Sequence, residues 1–371
     1  MHIAIFLPSL EGGGAERVMV NLAIGFVERG HRVDLVLADR RGPFLAMVPQ
    51  EVNIVDLRAG RVVRALGPLT KYLRESKPAA IISSLDHANL VTLWAVRRSR
   101  QRVRAVVVVH TTMSRTISNP GAWTDRVLLP PLVRRFYRWA DAIVTVSHGA
   151  GDDLRHFLGD RCGAVHVIPN PVVLPDLASR ADGGEAHAWC IDGGTPVLLG
   201  VGRLWHQKNF GLLLRAFAAA RLQSRARIVI LGEGPLRHDL ETLRDSLGLR
   251  DVVAMPGFSP NPYPSMRKAK VFVLSSVFEA LPTVVIEALA LGTPVIAVDC
   301  PTGPAEILEN GKWGTLIPAG DVDALAEALS DAVNARAHAT PVPEHVLRPY
   351  TLETAIDRYL ELVAPSASAR Q

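Results

Sequence analysis

The chain has 371 residues, 48% of them apolar, which is enough for two globular domains of ordinary size. No apolar run approaches the ~18–20 residues of a membrane-spanning helix, the start "MHIAIFLPSLEGGG" lacks the pattern of a secretory signal, and three dispersed cysteines (Cys162, Cys190, Cys300) give neither a disulfide framework nor a zinc spacing and suit a reducing cytosol. The net charge of +5 conceals an asymmetry: residues 58–140 hold 16 basic side chains against 3 acidic ones (Glu75, Asp86, Asp125), whereas residues 141–371 are net acidic.

Strand-like and helix-like segments alternate along the whole chain. "HIAIFLP" (2–8) reads as a first strand and "GGAERVMVNLAIGFVERG" (13–30) as a helix with a glycine stop; further strands are expected at 31–39, 52–57, 79–84, 103–109, 141–146 and 164–168. Val- and Ile-rich strands in this rhythm predict a parallel sheet covered on both faces. After "VIPNPV" (167–172) the pattern breaks, and the aperiodic stretch 174–196 reads as an interdomain connection. The rhythm then restarts, with strands at 196–202, 227–232, 252–257, 271–276 and 294–299 and helices at 209–224, 235–249 and 321–337. A last helix (351–364) follows the break at Pro341, Pro343 and Pro349. The expectation is two doubly wound α/β units, whose ligands bind just after the strands, at helix starts.

Three stretches sit at such positions. "GGGAER" (12–17) follows the first strand, where Gly13 and Gly14 permit close backbone approach and a helix start offers N–H groups to an anion. It is not the G-x-G-x-x-G of nicotinamide enzymes, because Arg17 takes the third glycine's place. "GRLWHQKN" (202–209) puts Arg203 and Lys208 in a loop opening a helix, which suits a diphosphate. In "FEALPTVVIEALALGTPVIA" (278–297), Pro282 is suited to the first helical position, where its missing N–H costs nothing, and the N–H groups of Thr283 and Val284 are placed for an anion. Glu279 and Glu287 then flank that anion site; carboxylates repel phosphate but accept hydrogen bonds from hydroxyls. A ligand with central phosphates and a hydroxylated ring at each end fits, which points to a nucleotide sugar.

"GRLWHQKN" followed by E-x7-E, in order with "GGGAERV", "VSHG", "IPNPV" and "GEGPL", resembles the retaining glycosyltransferases of the glycosyltransferases-group-1 family, glycosyltransferase family four with the GT-B fold. The resemblance covers nearly the whole chain. It implies two Rossmann-like doubly wound domains facing each other across a cleft. Residues 1–172 would bind the acceptor, with 349–371 packing back on them, and residues 190–345 would bind the donor. By the same resemblance Arg203 and Lys208 neutralise the donor diphosphate, Glu287 holds the ribose hydroxyls and Glu279 lies near the donor sugar. Leu281, Pro282, Thr283 and Val284 bind phosphate and sugar oxygens through the backbone, and Gly13 and Gly14 close over the donor. His110 matches the family's histidine near the transferring sugar, although a capping or core histidine reads equally from the residues alone. Ser147 and Asn170 read as a helix cap and a loop turn. Two departures, Ala280 for a common glycine and Lys270 for a usual acid, do not touch this chemistry.

The implied reaction moves a hexose or N-acetylhexosamine, with retention, from a UDP-sugar to a polyprenyl-diphosphate-linked or cell-surface glycan. "DCPTGPAEILENGKWG" (299–314) and "SSLDHANL" (83–90) point to that subgroup. GDP-mannose as donor, or an inactive nucleotide-sugar-binding partner in a glycan-assembly complex, are the alternatives. No cofactor and no metal are expected, since the D-x-D at Asp321–Asp323 opens a helix and reads as its cap. The basic stretch predicts a cytoplasmic protein, peripheral on the inner face of the membrane, attracted to anionic headgroups. Nucleic acid is the weakest partner, because "RRSRQRVR" (97–104) has no interleaved aromatics for stacking bases.

Overall fold

A computed structural model describes residues 1–11, 13–118, 127–159, 163–192, 194–335 and 342–364. Gly12, Asp125, Cys162, Pro341 and the tail from 365 lie outside the described residues. The chain divides into two compact units, Met1–Pro171 with Pro349–Gln371, and Val172–Arg348.

The first unit is built on a seven-stranded, all-parallel sheet of β1 (His2–Leu7), β2 (Arg32–Leu37), β3 (Asn53–Asp56), β4 (Ala80–Ser84), β5 (Arg104–Val109), β6 (Ala142–Thr145) and β7 (Val165–Val167). Its order is β3-β2-β1-β4-β5-β6-β7. Ile3 to Leu7 and Ala105 to Val108 are fully buried, as strands covered by helices on both faces must be. The order reverses between β1 and β4, so the loops leaving β1 and β4 diverge at the carboxyl edge and open a crevice there.

The last helix, Leu352–Val363, completes this unit by packing on Gly14–Glu28. Thr351 caps it by accepting from the Thr354 N–H. Leu352, Ile356, Tyr359 and Val363 are its buried stripe, spaced three and four apart. Gly25 allows the contact, because a Cβ there would lie 2.6 Å from Ile356 Cγ1. Phe26 meets Tyr359 edge-on at 6.5 Å, and Arg29 pairs with Asp357 at 2.7 Å.

The second unit has six parallel strands: β8 (Val197–Val201), β9 (Arg227–Leu231), β10 (Val253–Gly257), β11 (Val271–Leu274), β12 (Val295–Val298) and β13 (Thr315–Ile317). Their order, β10-β9-β8-β11-β12-β13, reverses between β8 and β11. The crevice of this sheet therefore lies between the loop 202–209 and the loop 275–282.

Two expectations need correction. The stretch 174–196 is not a bare connection: it forms the helices Leu177–Asp182 and Ala188–Ile191 and belongs to the second unit. Leu177, Ala181 and Cys190 are buried, and Asn261 Nδ2 donates to the Arg180 carbonyl at 2.9 Å. These helices are too short for periodicity to register, and glycines at 183 and 184 mask them further. The strand β13 is the other omission, three residues with only Ile317 buried.

Candidate functional site

The loop after β8 is held by its neighbour after β9. The Gly202 N–H bonds the Leu231 carbonyl at 3.0 Å, Leu204 N–H bonds Glu233 at 2.9 Å, and Leu236 N–H returns to Leu204 at 3.1 Å. The glycines of "GEGPL" make this approach possible: a Cβ on Gly232 would stand 1.9 Å from the Gly202 carbonyl oxygen, and one on Gly234 would stand 2.4 Å from that of Leu204. That motif is thus a buttress for the Arg203–Lys208 loop. Arg203 is exposed, with its guanidinium 5.3 Å over the Trp205 ring.

Lys208 and Glu279 meet directly. The ammonium is 2.6 Å from Glu279 Oε1, which also accepts from Ser276 Oγ at 2.7 Å, while Gln207 Nε2 donates to Oε2 at 3.2 Å and to the Phe278 carbonyl at 3.1 Å. These donors are why a carboxylate only 7% exposed is tolerated there. The two loops are joined elsewhere too, by Val277 N–H to the Gln207 carbonyl at 2.8 Å and Ser275 Oγ to the Lys208 carbonyl at 2.7 Å. Thr302 N–H fixes the Glu279 carbonyl at 2.8 Å from the third side. Burial pushes the nearby Cys300 thiol up to about 12, and the Glu279 charge adds to this, so Cys300 stays protonated and inert.

The helix Thr283–Ala290 begins one residue later than expected. Pro282 is its N-cap, in a non-helical conformation, and its carbonyl accepts from the Val285 N–H at 3.0 Å. The N–H groups of Thr283 and Val284 are the first in the helix and have no carbonyl one turn back. Leu281 is buried, and Thr283 and Val284 are half-buried. Glu287 is buried one turn in, and its Oε1 accepts from the Tyr263 hydroxyl at 2.9 Å. Arg203, Lys208, Glu279 and the start of this helix thus lie on the two loops that diverge at the sheet's reversal. Asp321, by contrast, caps Val322–Asn334 by accepting from the Ala324 N–H at 2.9 Å.

In the first unit Gly13 is the N-cap and Gly14 the first residue of Gly14–Glu28. A Cβ on Gly13 would meet Glu16 Oε2 at 2.1 Å, so a carboxylate of the chain itself lies over this helix start. Burial raises the Glu16 pKa, and a hydrogen bond from its own backbone N–H opposes the rise. His110 follows β5; its Nε2 is buried and has no hydrogen-bond partner among the described residues. Burial pushes its pKa down to about 4, which keeps the ring neutral at pH 7. Ser147 caps His148–Leu158 by accepting from Ala150 N–H at 3.1 Å, and Asn170 is buried in its loop.

Four side chains of the second unit escape a reading of the sequence: Gln207, Ser275, Ser276 and Tyr263. The serines carried one signal, a polar pair ending the buried strand "VFVLSS" at its carboxyl edge. Gln207 and Tyr263 carried none, because their partners lie 72 and 24 residues away.

Comparison with known proteins agrees with this arrangement. The family model described as "Glycosyl transferases group 1" matches residues 187–342, and that of "Glycosyltransferase Family 4" matches residues 12–174. The chain is 28% identical over 349 residues (88% of each chain) to an N-acetylgalactosamine-N,N'-diacetylbacillosaminyl-diphospho-undecaprenol 4-alpha-N-acetylgalactosaminyltransferase of Campylobacter jejuni. It is 35% identical over 274 residues to an alpha-D-kanosaminyltransferase of Streptomyces kanamyceticus, covering 70% of this chain and 69% of that one. Its fold is similar to that of Anabaena HepE, solved with UDP and glucose, with a TM-score of 0.78 at 19% identity over 97% of this chain and 98% of that one. With two Rossmann-like parallel-sheet units matching GT-B structures, the chain belongs to the group 1 glycosyl transferases of glycosyltransferase family 4.

Proposed function

We propose that this glycosyltransferase moves a hexose or N-acetylhexosamine from a UDP-sugar to a hydroxyl of a glycan carried on a polyprenyl diphosphate or displayed at the cell surface, with retention at the anomeric carbon. The observation that carries the reading is the Lys208–Glu279 pair, set between two diverging loops and beside a helix start. Lys208, Arg203 and the N–H groups of Thr283 and Val284 offset the charge that develops on the departing diphosphate. No divalent ion is needed for that task. Glu279, fixed by Ser276 and Gln207, accepts from the donor sugar's hydroxyls, and Glu287 accepts from the ribose. The leaving phosphate takes the acceptor's proton on the same face, and the buried His110 ring stays neutral at pH 7. The Campylobacter relative, whose acceptor is a diphospho-undecaprenol-linked sugar, supports the acceptor class.

The enzyme works at the inner face of the membrane as a peripheral protein. No helix among the described residues is long and apolar enough to cross a bilayer. Calorimetric titration with UDP, GDP and NAD, on the wild type and on Lys208→Ala and Glu287→Ala, tests the donor site. UDP binding weakened by both substitutions supports it; a preference for GDP moves the donor to GDP-mannose; binding of neither diphosphate sinks the reading. Turnover with a UDP-sugar panel separates an enzyme from an inactive binding partner. The anomeric proton of the first product, read by NMR, decides retention.

A further inference from the structure

One helical face of the first unit has exposed apolar groups, and cations that no ion pair among the described residues engages, neither of which the donor chemistry uses. Leu128, Leu132 and Phe136 recur every fourth residue on and just before the helix Leu129–Phe136, so they form one row. Trp94, on the helix Asp86–Ser99, meets Phe136 edge-on at 5.1 Å and Trp139 at 5.0 Å, which joins the two helices into one patch. Trp94 is 43% exposed, Leu128 51% and Leu132 42%. Exposed apolar groups gathered on one face in this way suit an interaction surface.

Arginines rim the patch. The Arg97 guanidinium lies 4.4 Å over the Trp139 ring, and that of Arg135 lies 5.7 Å over Phe136. The ion pairs of the described residues in this unit engage neither. Two kinds of partner could answer such cations, and the apolar row discriminates. A nucleic acid needs open ring faces on which to stack, and guanidiniums already cover Trp139 and Phe136. A bilayer interface satisfies the whole set: tryptophan at headgroup depth, leucines in the acyl boundary, and guanidinium forks on lipid phosphates.

We propose that this face, the row Leu128–Leu132–Phe136 with Trp94, Arg97 and Arg135, docks the protein on an anionic phospholipid surface. It gives a location to the peripheral attachment proposed above and rests on that reading. The charge balance of the surrounding sequence, 16 basic against 3 acidic side chains, adds a long-range attraction of the same sign.

The test is co-sedimentation of the full-length protein with phosphatidylcholine vesicles with and without phosphatidylglycerol. The wild type binds the anionic vesicles, and salt weakens it. Arg97→Gln/Arg135→Gln reduces the partition coefficient roughly thirtyfold, at about 1 kcal/mol per arginine. Leu128→Ser/Leu132→Ser, which removes only exposed apolar groups and so leaves the fold intact, reduces it several-fold on its own. Both pairs keep wild-type turnover on a water-soluble acceptor. If the wild type binds and both variants bind equally well, the docking face is wrong and the peripheral attachment stands elsewhere. If the wild type ignores anionic vesicles, or is retained by single-stranded RNA instead, attachment and face both fall while the donor site is untouched.

Discussion

The Lys208 ammonium lies 2.6 Å from Glu279 Oε1, and the two side chains are unequally buried, 17% exposed for the lysine and 8% for the glutamate. Removing either partner is therefore not symmetrical. Lys208→Met leaves a buried carboxylate with Ser276 and Gln207 as its donors, at a cost of about 1–3 kcal/mol. Glu279→Gln keeps acceptor capacity for those donors, and the lysine left behind still reaches water, so it costs less. On the proposed mechanism both substitutions lower kcat by about 10²–10³, because each would remove a group acting on the donor. Urea denaturation and initial rates check this. The double variant recovers stability but not rate, and equal stability losses in the two single variants would contradict the arrangement.

His110 makes stability depend on pH. Its folded pKa of about 4 lies below the ordinary histidine value of 6.5, so between those values the unfolded chain binds the proton and the folded chain does not. Its contribution is therefore complete above about pH 6.5 and is lost as the pH falls towards 4, at about 1.4 kcal/mol per pH unit. His31, His166 and His187 are shifted in the same direction, so the informative quantity is the difference from His110→Asn. Denaturation midpoints from about pH 7 down to pH 4.5 should fall more steeply for the wild type than for the variant. Parallel curves would mean that the ring is hydrated in solution.

Much of this was legible in the chain, and the reasons are specific. "AVVVV" and "HIAIFL" are Val- and Ile-rich runs of strand length in an alternating chain, and the helix Leu352–Val363 was marked by the break at Pro341, Pro343 and Pro349 before it. Arg203 and Lys208 stood out as cations in a loop that opens a helix after a strand, and Glu279 and Glu287 as carboxylates flanking an apolar stretch, so their positions pointed to a ligand. What stayed hidden was pairing. Nothing in the spacing says that Lys208 reaches Glu279 rather than solvent, or that the Tyr263 hydroxyl meets Glu287, since sheet order decides both. Short elements were hidden for another reason. Ala188–Ile191 and Thr315–Ile317 have too few residues to show a period, and tertiary packing alone stabilises them.

Gly232 offers a steric test of the buttress. With its Cβ position 1.9 Å from the Gly202 carbonyl oxygen, Gly232→Ala forces the two loops apart and displaces Arg203 and Lys208. UDP affinity should fall by about 10- to 100-fold, since misplacement of about 1 Å is enough for losses of that order. Gly67→Ala, in a helix with nothing near its Cβ position, serves as the control and should leave UDP binding unchanged. Calorimetry on the two proteins gives the answer. Equal affinities would show that the loop after β9 does not position the site.

The contact between Gly25 and Ile356 ties the end of the chain to its beginning. A Cβ on Gly25 would press on Ile356 Cγ1 at 2.6 Å and Cδ1 at 2.8 Å, both atoms of one side chain. Gly25→Ala gains helix propensity of up to about 1 kcal/mol, yet the overpacking costs about 1–3 kcal/mol, so the net effect is destabilising. Ile356→Ala removes the obstructing atoms and leaves a cavity, costing about 2–5 kcal/mol alone. Combined, the new methyl group fills part of the space that the isoleucine vacated. The pair should therefore be less destabilised than the sum of the single variants, by about 0.5–3 kcal/mol. Thermal or urea unfolding of the four proteins measures that coupling. Strict additivity would mean that the helix Leu352–Val363 does not seat on Gly14–Glu28 in solution.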